Sequence, residues 1–382
     1  MPISRRKFVR IAGSSTVVLA AAGVAGYLGT RDPVAARAPW ARSGAYPDPI
    51  RRALSYAILA PNPHNRQPWL VDLTSETEAT LYCDMSRLLP QTDPFDRQIA
   101  IGLGCFLELL DQAAGAENLR AEIAPFPEGT SDEALDGRPV ARIRLLPGGT
   151  PDPLFGQVHA RRSNKEPFDT AQPVSDANID AIVAVCGPEV LAAGTNSAEE
   201  VEALRDLTWR AHKVEVETPR TLMESVELMR IGRAEIEASP DGIDLGGPFL
   251  ETLRLFGLMT RSKLADPDST AFQQGLEIYQ EIINSAMGHF WLITPDNSRG
   301  TQLAAGRAYV RANLKATELG LGMHPLSQAL QEYREMSALY DELNDNLQTP
   351  PGARLQLLAR LGYGPELDPS PRWPLESRIA PT

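Results

Sequence analysis

The densest group of anion-binding side chains in the chain lies within five consecutive positions. Arg161, Arg162, Ser163 and Lys165 supply two guanidinium groups, a hydroxyl and an ammonium group. Such donors suit an anion such as a phosphate, because charge-assisted hydrogen bonds are the strong ones and a guanidinium fork matches oxyanion geometry. The alternative is an exposed basic turn that only water contacts.

A second polar group lies in the loop Ala60–Trp69, which reads APNPHNRQPW. Its Asn65 and Gln67 carry both amide donors and amide acceptors, so they could bind a ligand. Pro68 and Trp69 start a strand pattern, and we expect Trp69 in the core. We interpret His64 as a loop-packing residue rather than a catalytic acid.

Metal-binding patterns are weak in this sequence. Its three cysteines are far apart and contain no C-x-x-C, and its five histidines show no H-x-H or H-E-x-x-H spacing. An iron–sulfur cluster or a structural zinc is therefore not expected. We predict no metal site and an organic cofactor, with a metal held mainly by carboxylates as the alternative.

Composition and charge also limit the class of partner. The 382 residues are 43% hydrophobic and 23% charged, which is typical of a globular protein with one large domain or two domains. The net charge is −12; the first 42 residues carry seven basic residues and one acidic residue, which leaves −18 for the remainder. So acidic a body argues against nucleic acid and favours a small-molecule substrate.

The N-terminus has the pattern of an export signal. SRRKFVR at residues 4–10 precedes an apolar run over 11–28 and an A-x-A sequence at 36–38, which is similar to a twin-arginine (Tat) signal peptide over 1–38. We expect cleavage near Ala38, the Tat translocase as a partner during export, and a periplasmic or extracytoplasmic location. The alternative is an uncleaved membrane anchor, for which the run is just long enough. Tat substrates cross the membrane folded, which favours a redox cofactor, and a flavin ranks first.

Periodicity predicts a mixed α and β organisation in two halves, 39–150 and 151–382. Helices are predicted at 50–59, 99–114, from Ser175 or Asp176, and at 300–320, and long helical patterns are predicted from about 199 to 237. Strands are predicted at 69–73, 80–83, 141–146, 288–294 and 355–363. A strand, a long helix and a Gly-rich turn recur once in each half, which indicates a faint duplication. The Met- and Leu-rich stretch 219–275 has no counterpart, and we interpret it as a packed helical hairpin or a lid.

Four segments together resemble the nitroreductase superfamily. The loop 60–69 is similar to A-P-S-x-x-N-x-Q-P-W, and Arg161–Phe168 to R-R-S-x-[RK]-x-F. Gly320–Gln328 resembles G-L-G-x-x-P-[IL], and Arg372–Glu376 resembles R-x-P-L-E. The resemblance covers most of 48–379 and is strongest to the fused, Acg-like branch, in which one chain carries two nitroreductase-like halves.

The resemblance implies an α+β nitroreductase-like fold, in which two fused halves with antiparallel sheet and flanking helices form a pseudo-dimer. The loop 60–69 stays in the first half and the arginine segment in the second, so we expect one complete FMN site in a monomer.

The resemblance also assigns roles to residues. Arg161, Arg162, Ser163, Lys165 and Arg372 would bind the FMN phosphate, and Asn65 and Gln67 the ribityl chain or the isoalloxazine edge. The turn Pro325, Leu326, Ser327 and Gln328 would present backbone N–H groups to the flavin. Gln328 stands where Gly is common, which would place a side chain near the flavin.

The function implied is FMN-dependent two-electron reduction, with hydride passing from NAD(P)H or another donor to a nitroaromatic, quinone or similar acceptor. The flavin would carry the chemistry, so no catalytic side chain is predicted. An alternative is a flavin-binding or flavin-sequestering protein without turnover, and a third is a structural protein with an emptied site.

Overall fold

The computed structural model describes residues 32–380, and most of the predicted signal segment lies outside this range. Helix α1 (Val34–Arg42) crosses the expected cleavage position at Ala38. This helix packs on the body: the backbone N–H of Arg372 donates to Ala36 O at 2.8 Å, and Trp40 Nε1 donates to Ser370 O at 2.8 Å. The packed structure therefore includes residues on both sides of Ala38.

The first half is built around one four-stranded antiparallel sheet. Helix α2 (Pro49–Ala57) begins at Asp48, whose carboxylate accepts the Arg51 N–H at 2.9 Å, with Pro49 in the first turn. Strands β1 (Trp69–Leu73) and β2 (Glu78–Cys83) form a hairpin, helix α3 (Arg97–Ala116) follows, and β3 (Leu119–Pro125) and β4 (Ala141–Pro147) complete the sheet. The strand order is β1-β2-β4-β3.

The second half repeats that order around a large insertion. Helix α4 (Asp176–Val183) is capped by Ser175 in a capping box. Strand β5 (Leu191–Thr195), strand β8 (Gly288–Thr294), a long helix, strand β9 (Gly322–Pro325) and strand β10 (Arg354–Gly362) then form the antiparallel sheet β5-β8-β10-β9. Both halves therefore connect their four strands in the same way, and the predicted duplication has a structural counterpart.

The insertion lies between β5 and β8, where the first half has only a short turn. It contains α5 (Ala198–Glu217), α6 (Pro219–Leu228), α7 (Arg233–Ala238), α8 (Pro248–Leu255), α9 (Arg261–Leu264) and α10 (Thr270–Asn284). The helical patterns predicted over 199–237 correspond to α5, α6 and α7, but strand β6 (Met229–Ile231) lies between α6 and α7 and pairs in parallel with β7 (Ile243–Leu245). The unmatched segment spans 196–287, which is wider than the predicted 219–275.

The two long helices, α3 and α11 (Arg299–Glu318), cross at a pair of glycines. A Cβ added to Gly104 would lie 2.2 Å from Leu303 O, and one added to Gly306 would lie 1.9 Å from Ile101 O. Only glycine lets the two backbones approach this closely. Helix α12 (Ser337–Asn346) then precedes β10. The predicted α+β class, with two halves and antiparallel sheets, is confirmed.

Among residues 32–380, one helix is long and apolar enough to cross a membrane, and it is α3. Nine-tenths of the apolar window in α3 is buried inside the protein. This helix is therefore the shared core element of the two halves.

Candidate functional site

Arg161 lies buried beside the crossing of the two long helices and is 2% exposed. Burial lowers its guanidinium pKa, whereas Tyr309 of α11 and Cys105 of α3 lie near enough to raise it electrostatically. Its Nη2 donates to Leu59 O at 3.1 Å, but Nε and Nη1 have no hydrogen-bond partner within 32–380. No acidic side chain in that range forms an ion pair with it. A buried cation with two unused donors is costly, and an anion would compensate it.

Arg372 also donates to Leu59 O, but all the nitrogen atoms of its guanidinium group have hydrogen-bond partners. Its Nη2 donates to Leu59 O and Ala60 O at 3.1 Å, and its Nε donates to Ile58 O at 2.9 Å. Its Nη1 donates to Asn65 Oδ1 at 2.7 Å and also to Ser370 Oγ and Pro371 O. Burial lowers its pKa to about 9. Every N–H group of this guanidinium therefore has a partner, either in the loop that follows α2 or in the segment just before Arg372 itself.

The remaining residues of the arginine segment differ in exposure. Arg162 stacks over Trp40, 4.9 Å from the ring centroid, and donates to the carbonyls of Leu367 and His159. Ser163 forms an isolated parallel bridge with Met323 of β9. Lys165 is exposed and forms neither a hydrogen bond nor an ion pair with any residue in the described range. Within the segment 161–165, the Lys165 ammonium group and the two unpartnered donors of Arg161 are therefore the cationic groups still free to bind an anion.

The loop 60–69 is held in an unusual backbone conformation. His64, Asn65 and Gln67 have φ values of 47°, 49° and 52°. Non-glycine residues adopt this region rarely, so the surroundings must enforce it. The Gln67 N–H donates to Asn62 Oδ1 at 2.7 Å, and Asn65 Nδ2 donates to Pro371 O at 3.1 Å. The loop is thus a preformed element rather than a free connection.

The insertion lies directly against this loop. Gln67 Nε2 donates to Pro240 O at 2.6 Å, and its Oε1 accepts the Trp373 N–H at 2.8 Å. The Gly242 N–H donates to Asn65 O at 3.3 Å. Asp241, only 5% exposed, pairs with Arg66, Arg87 and Arg230 at 3.1, 2.7 and 2.9 Å. Residues 240–242 therefore clamp the insertion onto the first half.

The turn after α11 does not present all the backbone N–H groups that were predicted to face a flavin. Pro325 belongs to strand β9 and has no N–H, and the Leu326 N–H donates to Leu358 O of β10 at 2.8 Å. These two positions cannot offer a backbone donor to a ligand. Ser327 precedes a 3₁₀ turn, and Gln328 Nε2 donates to Tyr279 Oη of the insertion at 3.0 Å. The Gln328 side chain is thus directed to the insertion.

His324 is a buried residue of the second sheet. It lies in β9 opposite Arg360, whose Nε donates to its Nδ1 at 3.0 Å. Burial, followed by the charges of Arg360 and Lys165, lowers the His324 pKa well below its ordinary value. Sequence patterns missed this pair because a four-residue strand beside a Gly-rich turn gives no alternation.

A buried acid is the main group of this region that sequence reasoning did not find. Glu215, at the end of α5, is 6% exposed and forms no ion pair with any residue in the described range. Burial raises its pKa to about 7. Its Oε2 accepts from Gln331 Nε2 at 3.1 Å, and its Oε1 lies 3.4 Å from Ser225 Oγ. The same hydroxyl lies 3.4 Å from His64 Nε2 of the loop.

Within 32–380, no group of three or more His, Cys, Asp or Glu side chains is arranged to hold a metal. The buried cysteines, Cys83, Cys105 and Cys186, are free thiols with pKa values raised by burial.

No protein-family model matches the chain. An uncharacterized protein of Mycobacterium tuberculosis is 30% identical over 124 residues, which are 32% of this chain and 36% of that protein. Another protein of that organism, provisionally assigned as the NAD(P)H nitroreductase Acg, is 35% identical over 80 residues, 21% of this chain and 24% of its own. The matched segments thus span about a third or less of these relatives.

The chain is also similar to solved nitroreductase-like structures. The FMN-dependent nitroreductase NfnB of Mycobacterium smegmatis, in complex with NADPH, aligns with a TM-score of 0.36 and 17% identity over 58% of this chain and 94% of that one. A nitroreductase with bound FMN from Desulfitobacterium hafniense aligns with a TM-score of 0.37 and 13% identity, covering 60% and 98%. A likeness of this size does not by itself assign an activity to this chain.

Proposed function

We propose that the chain is an FMN-dependent oxidoreductase of the nitroreductase type. It would transfer hydride from NAD(P)H or another reduced donor to a nitroaromatic, a quinone or a similar small acceptor. The observation that carries the proposal is Arg161, a buried guanidinium with two unpartnered donors and no acidic partner in the described residues. The terminal phosphate of FMN supplies the dianion that this site lacks.

The residues present fit FMN in part. Arg161, Ser163 and the exposed Lys165 would hold the phosphate, and Arg162 would flank it from its place on Trp40. Arg372 and Asn65 would hold the backbone of the loop beside it. When bound, the flavin would supply the hydride chemistry. The chain's own residues would bind, orient and shield it.

The phosphate chemistry favours FMN over FAD, since no G-x-G-x-x-G follows a strand to hold a pyrophosphate. Cofactor released by heating should have the mass of FMN. Release of FAD would contradict the proposal, and a protein that neither purifies with flavin nor binds added FMN would favour a structural protein with an emptied site.

The clamp at 240–242 favours a second candidate, an FMN-binding or flavin-sequestering protein without turnover. The donor of Gln67 and the backbone of Asn65 are already bonded to the insertion. Steady-state reduction of a quinone with NADPH, and with a dye as an alternative reductant, separates the two candidates. Turnover supports the oxidoreductase, whereas a bound flavin that stays oxidised supports sequestration.

Export and assembly belong to the same proposal. We propose export through the Tat translocase to a periplasmic or extracytoplasmic location, with a membrane anchor if the signal stays uncleaved, and a monomer with an internal pseudo-dimer. Arg5→Lys with Arg6→Lys should retain the protein in the cytoplasm with its flavin, because a receptor reads that pair. Export of the double variant would contradict this assignment.

A further inference from the structure

The segment between α8 and α9 exposes large apolar side chains to water. Leu255, Phe256 and Leu258 are 58%, 71% and 50% exposed. Single exposed apolar residues are common on globular proteins, but three large ones within four positions form a patch, and such patches often mark an interaction site. Residues 255–259 are called the apolar loop below.

The backbone of the apolar loop already has its hydrogen bonds. The Gly257 N–H donates to Arg254 O at 3.0 Å, and Gly257 has a φ of 65°, which favours glycine. The N–H groups of Leu258 and Met259 donate to Leu253 O at 2.9 and 3.3 Å. A backbone group is costly to move out of water when it lacks a partner, so these donors would enter an apolar medium at small cost.

Both ends of the apolar loop are fixed to α7. On the α8 side, the Glu251 carboxylate accepts the N–H of Arg233, the first residue of α7, at 2.6 Å. On the α9 side, Arg261 pairs with Glu235 of α7 at 2.5 Å. The apolar side chains are therefore presented from a supported position on the insertion.

Helix α7 also lies beside the start of the described chain. Helix α1 contacts α7. The apolar run of the sequence ends at residue 28 and α1 begins at Val34, so the residues between them span at most about 20 Å. If the run enters a bilayer, as in the proposed export and anchoring, the lipid surface lies close to α1 and α7, and so to the apolar loop.

We propose that the apolar loop is a membrane-docking element, which places Leu255, Phe256 and Leu258 in the interface of a lipid bilayer. This inference goes beyond the proposed flavin chemistry and does not depend on it. A second copy of the chain fits the patch less well, because each partner of a stable protein interface contributes about 800 Å², and three side chains do not supply that area. Binding to a membrane interface instead scales with whatever apolar area is buried.

The charges beside the apolar loop are nearly balanced. Arg254 and Arg261 pair with glutamates of the insertion, whereas Lys263 forms no ion pair with any described residue. A lysine at the edge of an apolar patch can extend its ammonium group to lipid phosphates. Asp266 and Asp268 follow α9, however, so the surroundings have no net positive charge. Binding should therefore depend on apolar contact, and it should persist on zwitterionic lipid and at high salt.

The first test locates the apolar loop with a dye on the full chain, and FMN is not needed. Leu258→Cys is labelled with a nitrobenzoxadiazole dye, which brightens when it leaves water; the three native thiols are buried. On addition of phosphatidylcholine vesicles, the dye at position 258 should brighten. The same dye on Glu128→Cys, between β3 and β4 of the first half, should not.

Three results of this test would overturn the proposal. The protein could sediment with the vesicles while the dye at position 258 stays in water, which would mean that another segment holds the membrane. The dye could already be shielded before vesicles are added, which would mean that a second copy or the N-terminal run covers the loop. The third result is a protein that does not sediment with the vesicles at all.

The second test measures the contribution of the side chains. Phe256→Gln with Leu258→Gln should lower the vesicle partition coefficient by at least roughly tenfold, because two large apolar side chains no longer leave water. Phe95→Gln, which changes an exposed phenylalanine of the first half, is the matched control and should leave it unchanged. All variants should keep the wild-type unfolding temperature, since the changed side chains are exposed. Equal partition of the double variant and the control, or binding that requires anionic lipid and is lost in salt, would contradict the proposal.

Discussion

The two halves of the chain share one strand order and differ in the segments that precede α2 and α4 and in those that precede β1 and β5. Before α4, the second half has the buried Arg161 with orphan donors, whereas before α2 the first half has Arg42, whose side chain is 61% exposed and pairs with Glu376. Before β1, the first half has the strained loop with Asn65 and Gln67, whereas the segment before β5 reads VCGPEV. The groups that we propose to bind FMN therefore form one set, divided between the two halves of a duplicated framework.

The elements that join the halves remain nearly symmetric. Arg97 at the start of α3 reaches Gln356 O and Leu330 O of the second half at 2.8 Å. Arg299 at the start of α11 reaches Ser131 O and Asp132 O of the first half at 3.0 and 3.4 Å. The two long helices thus pack in a nearly symmetric way, whereas the segments that connect the strands differ between the halves. A short turn joins β1 to β2, but the whole insertion joins β5 to β8.

The largest effect is expected at the clamp that makes the halves unequal. Asp241→Ala leaves Arg66, Arg87 and Arg230 close together without their shared carboxylate, which should lower the free energy of unfolding by about 3–5 kcal/mol. Denaturant unfolding measures this, with Glu128→Ala, a surface partner of Arg142, as the control that should change little. A loss no larger than the control would show that the insertion is held elsewhere.

The two buried arginines should respond in opposite ways to methionine. Arg372→Met removes the donors of six acceptors and should lower the free energy of unfolding by about 3 kcal/mol. Arg161→Met removes a poorly compensated charge, so stability should be unchanged or higher while FMN affinity falls by roughly 1.5–3 kcal/mol. Thermal unfolding of FMN-free protein and FMN titration measure the two quantities. Equal destabilisation by both would contradict the view of Arg161 as an unsatisfied group.

Glu215 predicts a specific dependence of stability on pH. Its folded pKa of about 7 lies above the unfolded value of 4.5, so the folded state binds the proton more tightly. Its contribution is complete below pH 4.5 and is lost as pH rises through 7, by up to about 3 kcal/mol. Comparing wild type with Glu215→Gln from pH 5 to pH 8 isolates this group from the buried histidines. If the free energy of unfolding varies with pH in the same way for both proteins, the pKa of Glu215 is not raised by folding.

The helix crossing provides the smallest of these effects and tests the symmetric part of the molecule. Gly104→Ala and Gly306→Ala should each lower the free energy of unfolding by about 1–3 kcal/mol, because the new methyl group overlaps a carbonyl of the other long helix. Gly275→Ala in α10 meets no atom within 4 Å and should stabilise by about 0.5–1 kcal/mol. If all three variants change the free energy of unfolding by the same amount, the close approach of the two helices does not contribute to stability.

Sequence patterns predicted the parts of the fold with strong periodicity. The long helices, the capped helix after Ser175 and strand β10 are confirmed, since their apolar spacing or capping is local. Strands β3, β5 and β9 were missed: β3 is largely exposed, β5 is short and rich in small residues, and β9 has only four residues, GMHP. Strand β6, which lies between the helices of 199–237, depends on pairing with β7, which no local pattern contains.

For the site, the residue types indicated which groups could bind but not which were already used. The structure brings Arg161 and Arg372 together at Leu59 O after α2. Asn65 accepts from Arg372, and Gln67 accepts from the backbone N–H of the next residue, Trp373. All donors of Arg372 and Gln67 have partners while two donors of Arg161 do not, and this difference depends on contacts between residues 102 or more positions apart. Glu215 was missed for the same reason, because a glutamate near the end of an amphipathic helix looks like a solvent-facing residue until α6 covers it.

The central claim is that this duplicated framework carries one flavin site, formed by both halves of a single chain. Titration of the FMN-free protein, followed by flavin fluorescence and combined with mass measurement of the complex, tests it most directly. The account predicts saturation at one FMN per chain, with binding retained when the protein is diluted to a monomer. Saturation at two FMN per chain, or binding that requires a second copy of the chain, would contradict it.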